Sequence, residues 1–307
     1  MFRLLKETNI DFIGQRYKAF TFSGILVTIG LFAFVMILLG KGKMGIDFAG
    51  GTMIQGNFER AINVADLRDA VINSGFAEAS IQKVERFNVA NAYIIRVPEV
   101  AAGGEKAVDR IMNVIATTFP GNRFDKDSEH TIGPAVGEAL KKSARWAILI
   151  SALGMLVYIW LRFDYRSGVA ATIATFHDVI AILGIFYIFN KEITLLVITA
   201  LLTLAGYSLT DTVVVYDRIR ENLKKFRKKG EFVETVNRSI NEVLSRTIIT
   251  SMTVLLVVII LFIFGGEVLH DFALAMILGV IIGTYSSIFV ASPIVVEWEA
   301  RWPRRFK

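Results

Sequence analysis

The sequence predicts a polytopic α-helical membrane protein with six transmembrane helices and one α+β, ferredoxin-like domain inserted after the first of them. Three observations carry this prediction: six apolar runs of 18–25 residues, one polar segment of 104 residues between the first two runs, and an uneven distribution of Lys and Arg. The 307 residues are 54% apolar and 20% charged, against about 45–50% and about 25% in typical soluble proteins. This composition argues against a disordered chain, and the absence of cysteine excludes a disulfide framework and a cysteine-ligated metal site.

The six apolar runs have the length that a helix needs to cross a bilayer. A crossing helix requires roughly 20 mostly apolar residues, within about 17–25. The predicted transmembrane helices, in chain order, are residues 19–39, 144–161, 168–189, 193–215, 247–264 and 272–296. The first run is longer than the apolar core of a signal peptide, and no small-residue cleavage site follows it, so we expect an uncleaved helix.

The basic residues orient the predicted helices. Nineteen of the 34 Lys and Arg residues lie in the segments 1–18, 162–167, 216–246 and 297–307, whereas the two short loops on the other side hold only Lys191. Cytoplasmic flanks of membrane helices are enriched in Lys and Arg. We therefore expect a cytoplasmic N-terminus (1–18), a cytoplasmic basic loop (216–246), a cytoplasmic basic tail (297–307) and a domain at 40–143 on the periplasmic or extracytoplasmic side.

The segment 40–143 has the size of an independent domain. Its hydrophobic patterns and turn signals alternate between strand and helix. The predicted elements are strand 52–58, a helix from a cap at Asn63 to Gly75, strands 80–87 and 92–97, helix 104–119 and strand 123–132. The order β-α-β-β-α-β is that of a ferredoxin-like sandwich. His130 is its one histidine, and we expect it to be a solvated loop residue without a catalytic role.

His177 and Asp178 lie near the middle of the third predicted helix. Ionisable groups at that depth cost about 2.5–3.5 kcal/mol on insertion scales, so each needs a partner or a function. Neighbours in a helix point about 100° apart, and we therefore expect each of the two to bond another helix and not its neighbour. A packing or hydrogen-bonding role is the main expectation, with a share in proton transfer as the alternative.

Asp211 lies in the inner part of the fourth predicted helix, with Tyr207 and Ser208 one turn earlier on the same side. Arg246 comes directly before the fifth helix, and the opposite directions of the two helices place it at a similar depth. Burial and a nearby cation act on such a carboxyl group in opposite senses, so a small change in water access could change its protonation. Two hypotheses remain open: a static ion pair between two helices, or a proton relay.

Two further patterns have weaker implications. Gly279, Gly283 and Ser287 recur every four residues in the sixth predicted helix, a spacing that permits close contact with another helix. The stretch 224–229 is strongly basic, and it is expected to be a solvated loop, with contact to anionic lipid or to a ribosome-like acidic partner as the alternatives.

Two segments resemble the signatures of SecF, within the SecD/SecF family of bacterial protein-export membrane proteins. They are Gly-Ile-Asp-Phe-Ala-Gly-Gly-Thr at 45–52 and Gly-Tyr-Ser-Leu-Thr-Asp-Thr-Val-Val-Val-Tyr-Asp-Arg-Ile-Arg-Glu-Asn at 206–222. The likeness extends over essentially the whole chain, including residues 132–134, 177–179 and 245–250. The single inserted domain distinguishes this chain from the sister protein SecD. The resemblance implies that SecD is a longer chain with a larger first exported region. Thr210 replaces the Asn that often precedes the membrane aspartate in this family.

The resemblance implies a subunit of the preprotein translocation machinery in the bacterial cytoplasmic (inner) membrane, not an enzyme. SecF-like proteins pair with SecD in a twelve-helix unit similar to resistance-nodulation-division transporters, associate with the SecYEG channel, and use the proton gradient to draw preproteins across the membrane. Asp211 and Arg246 match the residues of the family's proton relay. Tyr207, Ser208, Thr210, His177 and Asp178 are expected as supporting polar groups. No cofactor, metal or nucleic acid is expected, and lipid is a further partner.

Three alternatives compete with this interpretation. The first alternative is that the chain is half of a proton-coupled small-molecule efflux permease. It is disfavoured, because the resemblance implies two six-helix halves and two large exported regions in the chains of such pumps. An intramembrane protease is disfavoured because Ser208 lacks a Gly-x-Ser-x-Gly setting and His177 lies on another helix. A passive assembly factor with static polar contacts remains open, and proton flux distinguishes it from a motor.

Overall fold

The computed structural model describes residues 8–77, 79–86, 89–97, 107–225 and 232–303. Several features of the sequence fall outside these ranges. They are residues 1–7, residues 226–229 of the basic stretch, residues 104–106 of the predicted helix 104–119, and residues 304–307 of the basic tail.

Within these described ranges, six helices are long and apolar enough to cross a membrane, which confirms the predicted fold class. The first is α1 (Arg16–Leu38), and a short helix α2 (Ile46–Ala49) follows it. The others are α5 (Pro134–Arg162), α6 (Tyr165–Ile188), α7 (Leu195–Lys225), α8 (Phe232–Phe264), and α9 (Gly266–Ser286), which continues through a π-helical turn (Ser287–Ala291) into α10 (Ser292–Arg301). Helices α5, α7 and α8 extend well beyond their apolar runs, so much of the described part of the segment 216–246 is helical.

The inserted domain, residues 51–132, has the predicted β-α-β-β-α-β order. Its elements are β1 (Gly51–Phe58), α3 (Val64–Asn73), β2 (Ser80–Arg86), β3 (Val89–Val97), α4 (Ala107–Thr118) and β4 (Phe124–Ile132). The strands form one antiparallel sheet in the order β2-β3-β1-β4, which is the ferredoxin-like arrangement.

Local chemistry explains the limits and the core of this domain. The side chain of Asn63 accepts a hydrogen bond from the Ala65 amide at 3.0 Å, so the predicted N-cap is confirmed. The Tyr93 side chain is fully buried, and its hydroxyl donates to the Ile62 carbonyl at 2.7 Å. His130 is exposed, as expected, but it lies within β4 opposite Met53 and not in a loop.

Three helices form the centre of the membrane bundle. Between 50% and 61% of the apolar window is buried in α6, α7 and the helix formed by α9 and α10, whereas α1, α5 and α8 bury 11–17% of theirs. Polar side chains at membrane depth are therefore shielded best on α6, α7 and α9.

Glycines let these helices approach closely. A Cβ atom on Gly279 would come within 2.1 Å of a Leu204 methyl group, and one on Gly283 would lie 3.2 Å from the Ser208 Cβ. The predicted small-residue contact of the sixth span is therefore confirmed, with α7 as its partner. Gly30 of α1 and Gly184 of α6 make a similar crossing, where a Cβ on Gly30 would lie 2.2 Å from the Ile180 carbonyl oxygen.

The sixth span changes its winding at the π-helical turn. Pro293 follows this turn closely, and a proline can neither donate to the helix ladder nor leave room for the carbonyl one turn earlier. Two side chains bond the backbone there: the Tyr216 hydroxyl donates to the Ala291 carbonyl and the Ser292 hydroxyl to the Ser287 carbonyl, both at 2.9 Å. Beyond the turn, Glu297 pairs with Arg16 of α1 at 2.7 Å.

An ion pair links the inserted domain to the loop between α6 and α7. Arg96 Nε of β3 lies 3.3 Å from Glu192 Oε2 of that loop. Burial raises the pKa of the Glu192 carboxyl, and the Arg96 guanidinium opposes this shift only in part.

We expect Gly30→Ala to destabilise the protein by about 1–3 kcal/mol, because its methyl group meets the Ile180 backbone and overpacks the crossing. The control is Gly24→Ala on the same helix, where no atom lies within 4 Å of the new Cβ. That change should be neutral or slightly stabilising, since alanine is the better helix former. Thermal unfolding of the purified protein in detergent measures both, and equal midpoints would contradict the packing.

Glu192 should make stability depend on pH in the acidic window just above the ordinary pKa of a glutamate. In that window the folded state binds the proton more readily than the unfolded state, so stability rises as pH falls and is lost as pH rises. Glu192→Gln does not titrate and should flatten this part of the profile. Unfolding midpoints of both proteins across the window provide the measurement, and parallel profiles would refute the assignment.

Candidate functional site

Helix α7 carries the buried polar residues of the predicted site on its inward face. Its buried positions recur at helical spacing and are mostly apolar, as in Leu201, Leu204 and Val215. Ser208 and Asp211 interrupt this row in its middle, with exposed fractions of 1% and 5%. The two side chains are three residues apart on one face, yet they belong to different hydrogen-bond networks.

Asp211 lies against α8 and α9. The Thr284 hydroxyl of α9 is beside its carboxyl group, and the Arg246 guanidinium of α8 attracts it electrostatically. Its Oδ2 atom is buried and has no hydrogen-bond partner within the described residues. A buried oxygen without a donor is uncommon in proteins and calls for an explanation.

Arg246 is exposed on α8, and across the described ranges no ion pair within 4.0 Å joins it to Asp211. The ion pair between these two described residues, one of the two hypotheses from the sequence, is therefore absent from this structure. What remains is an attraction across a gap. The relay role of the two residues stays a prediction.

A chain of hydroxyl groups leads to Asp211. The Tyr207 hydroxyl donates to Ser251 Oγ at 3.2 Å, and Ser251 Oγ lies 2.6 Å from Thr284 Oγ1. These groups belong to α7, α8 and α9, and the last of them is beside the Asp211 carboxyl. A hydroxyl both donates and accepts hydrogen bonds, so such a row can pass a proton from one end to the other.

A second network surrounds Asp178 of α6. His177 Nδ1 lies 2.8 Å from Asp178 Oδ1, while Oδ2 accepts hydrogen bonds from the hydroxyls of Ser208 and Ser286, the latter at 2.7 Å. Asp178 is 2% exposed and joins α6, α7 and α9. His177 Nε2 is buried and has no partner among the described residues.

One expectation about these residues was wrong. His177 and Asp178 do pair with each other, because rotation about their side-chain bonds brings the two groups together although the Cβ atoms diverge. Ser208, on the same face of α7 as Asp211, donates its hydrogen bond to Asp178. Asp178 does reach other helices, as predicted.

Thr210 makes no hydrogen bond to Asp211 or to another helix among the described residues. Its side chain is exposed, and its hydroxyl donates to the Gly206 carbonyl of its own helix at 2.9 Å. Tyr207 takes part in the site through Ser251, as described above.

The sequence reasoning missed the hydroxyl partners Ser251, Thr284 and Ser286. Their signal was weak: single hydroxyl residues in apolar runs are common, and only the packing of α8 and α9 against α7 shows which of them face the carboxyl groups. Across the residues that the structure describes, no three His, Asp or Glu side chains converge as metal ligands would.

Residues 112–301 match the family model described as protein export membrane protein SecD/SecF, C-terminal. The protein translocase subunit SecF of Thermodesulfovibrio yellowstonii is 48% identical, with 96% of this chain and 97% of the relative covered. The subunit of the same name from Endomicrobium trichonymphae is 41% identical over 99% of this chain and 96% of its own.

Two crystal structures of SecDF resemble this one. SecDF from Thermus thermophilus, described as a translocon-associated membrane protein, is 35% identical with a TM-score of 0.84 over 96% of this chain. SecDF in its super-membrane-facing form is also 35% identical, with a TM-score of 0.69 over 98% of this chain. This chain spans about two fifths of each SecDF chain, 39% and 40%.

Ser286→Ala should destabilise the protein by about 1–3 kcal/mol, because the buried Asp178 carboxyl loses a donor. The matched control is Ser287→Ala, which is also buried and whose hydroxyl donates to the Thr284 carbonyl of its own helix at 3.0 Å. Thermal unfolding in detergent compares the two. If both variants lose the same stability, Asp178 does not depend on Ser286.

Proposed function

We propose that this chain, which belongs to the SecD/SecF family of protein export membrane proteins, is a multi-pass subunit that assists preprotein export by using the proton motive force. The relatives named protein translocase subunit SecF support the role in translocation. The observation that carries the use of protons is Asp211, a buried carboxyl group on a central helix of the bundle, one of whose oxygens has no hydrogen-bond partner in the part of the chain that the structure describes.

SecD is the proposed partner. The SecDF chains are about two and a half times as long as this one, and the part beyond the match corresponds in this proposal to SecD. Helix α7 offers a suitable contact, since Thr199, Thr203, Gly206 and Thr210 form an exposed row of small residues on it. Small residues favour close helix association in membranes. The SecYEG channel, the translocating preprotein and membrane lipid are the further proposed partners.

The proposed location is the bacterial cytoplasmic membrane, with both termini in the cytoplasm. The distribution of Lys and Arg supports this orientation, because basic loops resist translocation. The inserted domain then lies on the outer side, where an emerging preprotein is within its reach.

The proposed working step is protonation of Asp211. A proton that reaches its carboxyl group, by way of Tyr207, Ser251 and Thr284 or by water, removes the negative charge that attracts Arg246. Helices α7 and α8 then shift relative to each other. Moving one charge through 100 mV supplies about 2.3 kcal/mol, so one proton can bias a two-state packing while extended translocation needs repeated cycles.

Asp211→Asn, assembled with SecD, tests this step. The amide keeps the shape of the side chain but cannot bind and release a proton, so the export that depends on a proton gradient should fall to the level seen without a gradient. Reconstituted vesicles that import a labelled preprotein, with and without an imposed gradient, provide the measurement.

The matched control is Asp217→Asn on the same helix. Asp217 pairs with Arg162 at a partly exposed position, where such a pair contributes little. Its gradient-dependent export should stay at the wild-type rate. Wild-type export by Asp211→Asn would eliminate the relay, and equal proton flux in the wild-type and Asp211→Asn assemblies would favour a passive assembly factor.

A further inference from the structure

The segment 43–50, here called the joint, connects α1 to β1. It contains most of the motif at 45–52, whose residues take no part in the proposed protonation of Asp211. The joint pairs with the loop between α6 and α7 through an isolated parallel β-bridge. The Gly45 amide donates to the Ile193 carbonyl, and the Ile193 amide donates to the Lys43 carbonyl, both at 2.9 Å. Met44 and Ile193 are the paired residues of this bridge.

Asp47 of the joint binds the first turn of α7. Its Oδ2 atom accepts a hydrogen bond from the Leu195 amide at 2.8 Å. Thr194, the residue directly before α7, provides a second cap: its Oγ1 atom accepts a hydrogen bond from the Val197 amide at 3.2 Å. The first amides of a helix have no partner inside it, so both oxygens satisfy groups that would otherwise be unpaired.

Phe48 fixes the joint against the ends of several membrane helices. Its side chain is 6% exposed and packs with Ala144 of α5 and Ile193. The other members of this apolar cluster are Ile37, Leu140, Leu183, Leu195 and Ile198. Directly after the joint's helix, Gly50 has φ +76°, a conformation that favours glycine, and the chain turns there into the sheet.

The joint therefore lies between two parts of the molecule. On one side it continues without a break into β1, a central strand of the sheet. On the other side it caps α7, the helix that carries Asp211. A carboxylate that accepts a hydrogen bond from a helix amide is held by that bond and also by electrostatic attraction, since the N-terminal end of a helix attracts negative groups.

We propose that Asp47 is a positioning residue that couples the inserted domain to α7, so that the base of the domain and the first turn of the helix move as one unit. A shift of α7 is then transmitted to the inserted domain through the joint. The transmission rests on the proposed proton-driven function, whereas the docking of the joint does not.

A comparison of Asp47→Ala with Thr194→Ala tests the docking. Each variant removes one cap of the same helix turn, but only the first removes a hydrogen bond between the two parts. Spin labels are placed at Thr117→Cys in α4 and Thr199→Cys in α7, both exposed, and the chain has no other cysteine. Distances are measured in lipid nanodiscs without a proton gradient, so the result does not depend on Asp211.

We expect Asp47→Ala to broaden the distance distribution, with about five-fold more of the undocked population, as expected for the loss of one cap. Thr194→Ala should keep the wild-type distribution, and Asp47→Asn should largely restore it, because the amide oxygen still accepts the Leu195 hydrogen bond. Identical distributions for Asp47→Ala and Thr194→Ala would overturn the proposal.

A disulfide tests the transmission. Met44→Cys with Ile193→Cys places two thiols on paired residues, where a bridge can form. In the Asp47→Ala background, gradient-dependent export should be lost under reducing conditions and return to the wild-type rate when the disulfide forms. Failure of the pair to oxidise would contradict the docking, and failure of the formed disulfide to restore export would contradict the coupling.

These outcomes also separate the proposal from the proposed function. If the wild-type assembly shows no gradient-dependent export, the proton-driven function fails, and the distance measurements decide the docking by themselves. If Asp211→Asn abolishes gradient-dependent export while Asp47→Ala leaves it intact, the relay holds and the coupling role of Asp47 fails.

Discussion

A carboxyl group at membrane depth must obtain its hydrogen bonds from neighbouring helices, and this constraint governs the centre of the structure. Lipid offers no donor, so each unsatisfied polar atom costs several kcal/mol. Asp178 meets the constraint with Ser208 of α7 and Ser286 of α9, in addition to its neighbour His177. The three helices that share these bonds are also the three most buried.

Among the buried carboxyl groups of the bundle, Asp178 and Asp211 thus differ in kind. Both oxygens of Asp178 are bonded, which makes it a structural junction whose partners leave it little freedom. Asp211 retains an oxygen that has no donor among the described residues, and Arg246 attracts it without forming an ion pair. A group that is incompletely satisfied in one arrangement can gain from another, and this property suits a residue that changes its protonation during a cycle.

The sequence was sufficient for the architecture but not for the networks. Run lengths gave the six spans because hydrophobic thickness fixes helix length, and periodicity gave the ferredoxin-like order because strand and helix differ in repeat. The pairing of His177 with Asp178 was missed because helical angles describe Cβ directions and not side-chain ends. The partners Thr284 and Ser286 were missed because a linear sequence does not state which faces of two helices meet.

The π-helical turn at Ser287–Ala291 fixes the direction in which Glu297 and Glu299 of the last helix point. An α-helix rotates by about 100° per residue, so one residue more or less in this turn would rotate all of α10 by that angle. Glu297 would then leave Arg16, and Glu299 would leave Arg166. The π-helical turn thus sets the rotation of α10 about its own axis, so that Glu297 faces Arg16 of α1 and Glu299 faces Arg166 of α6.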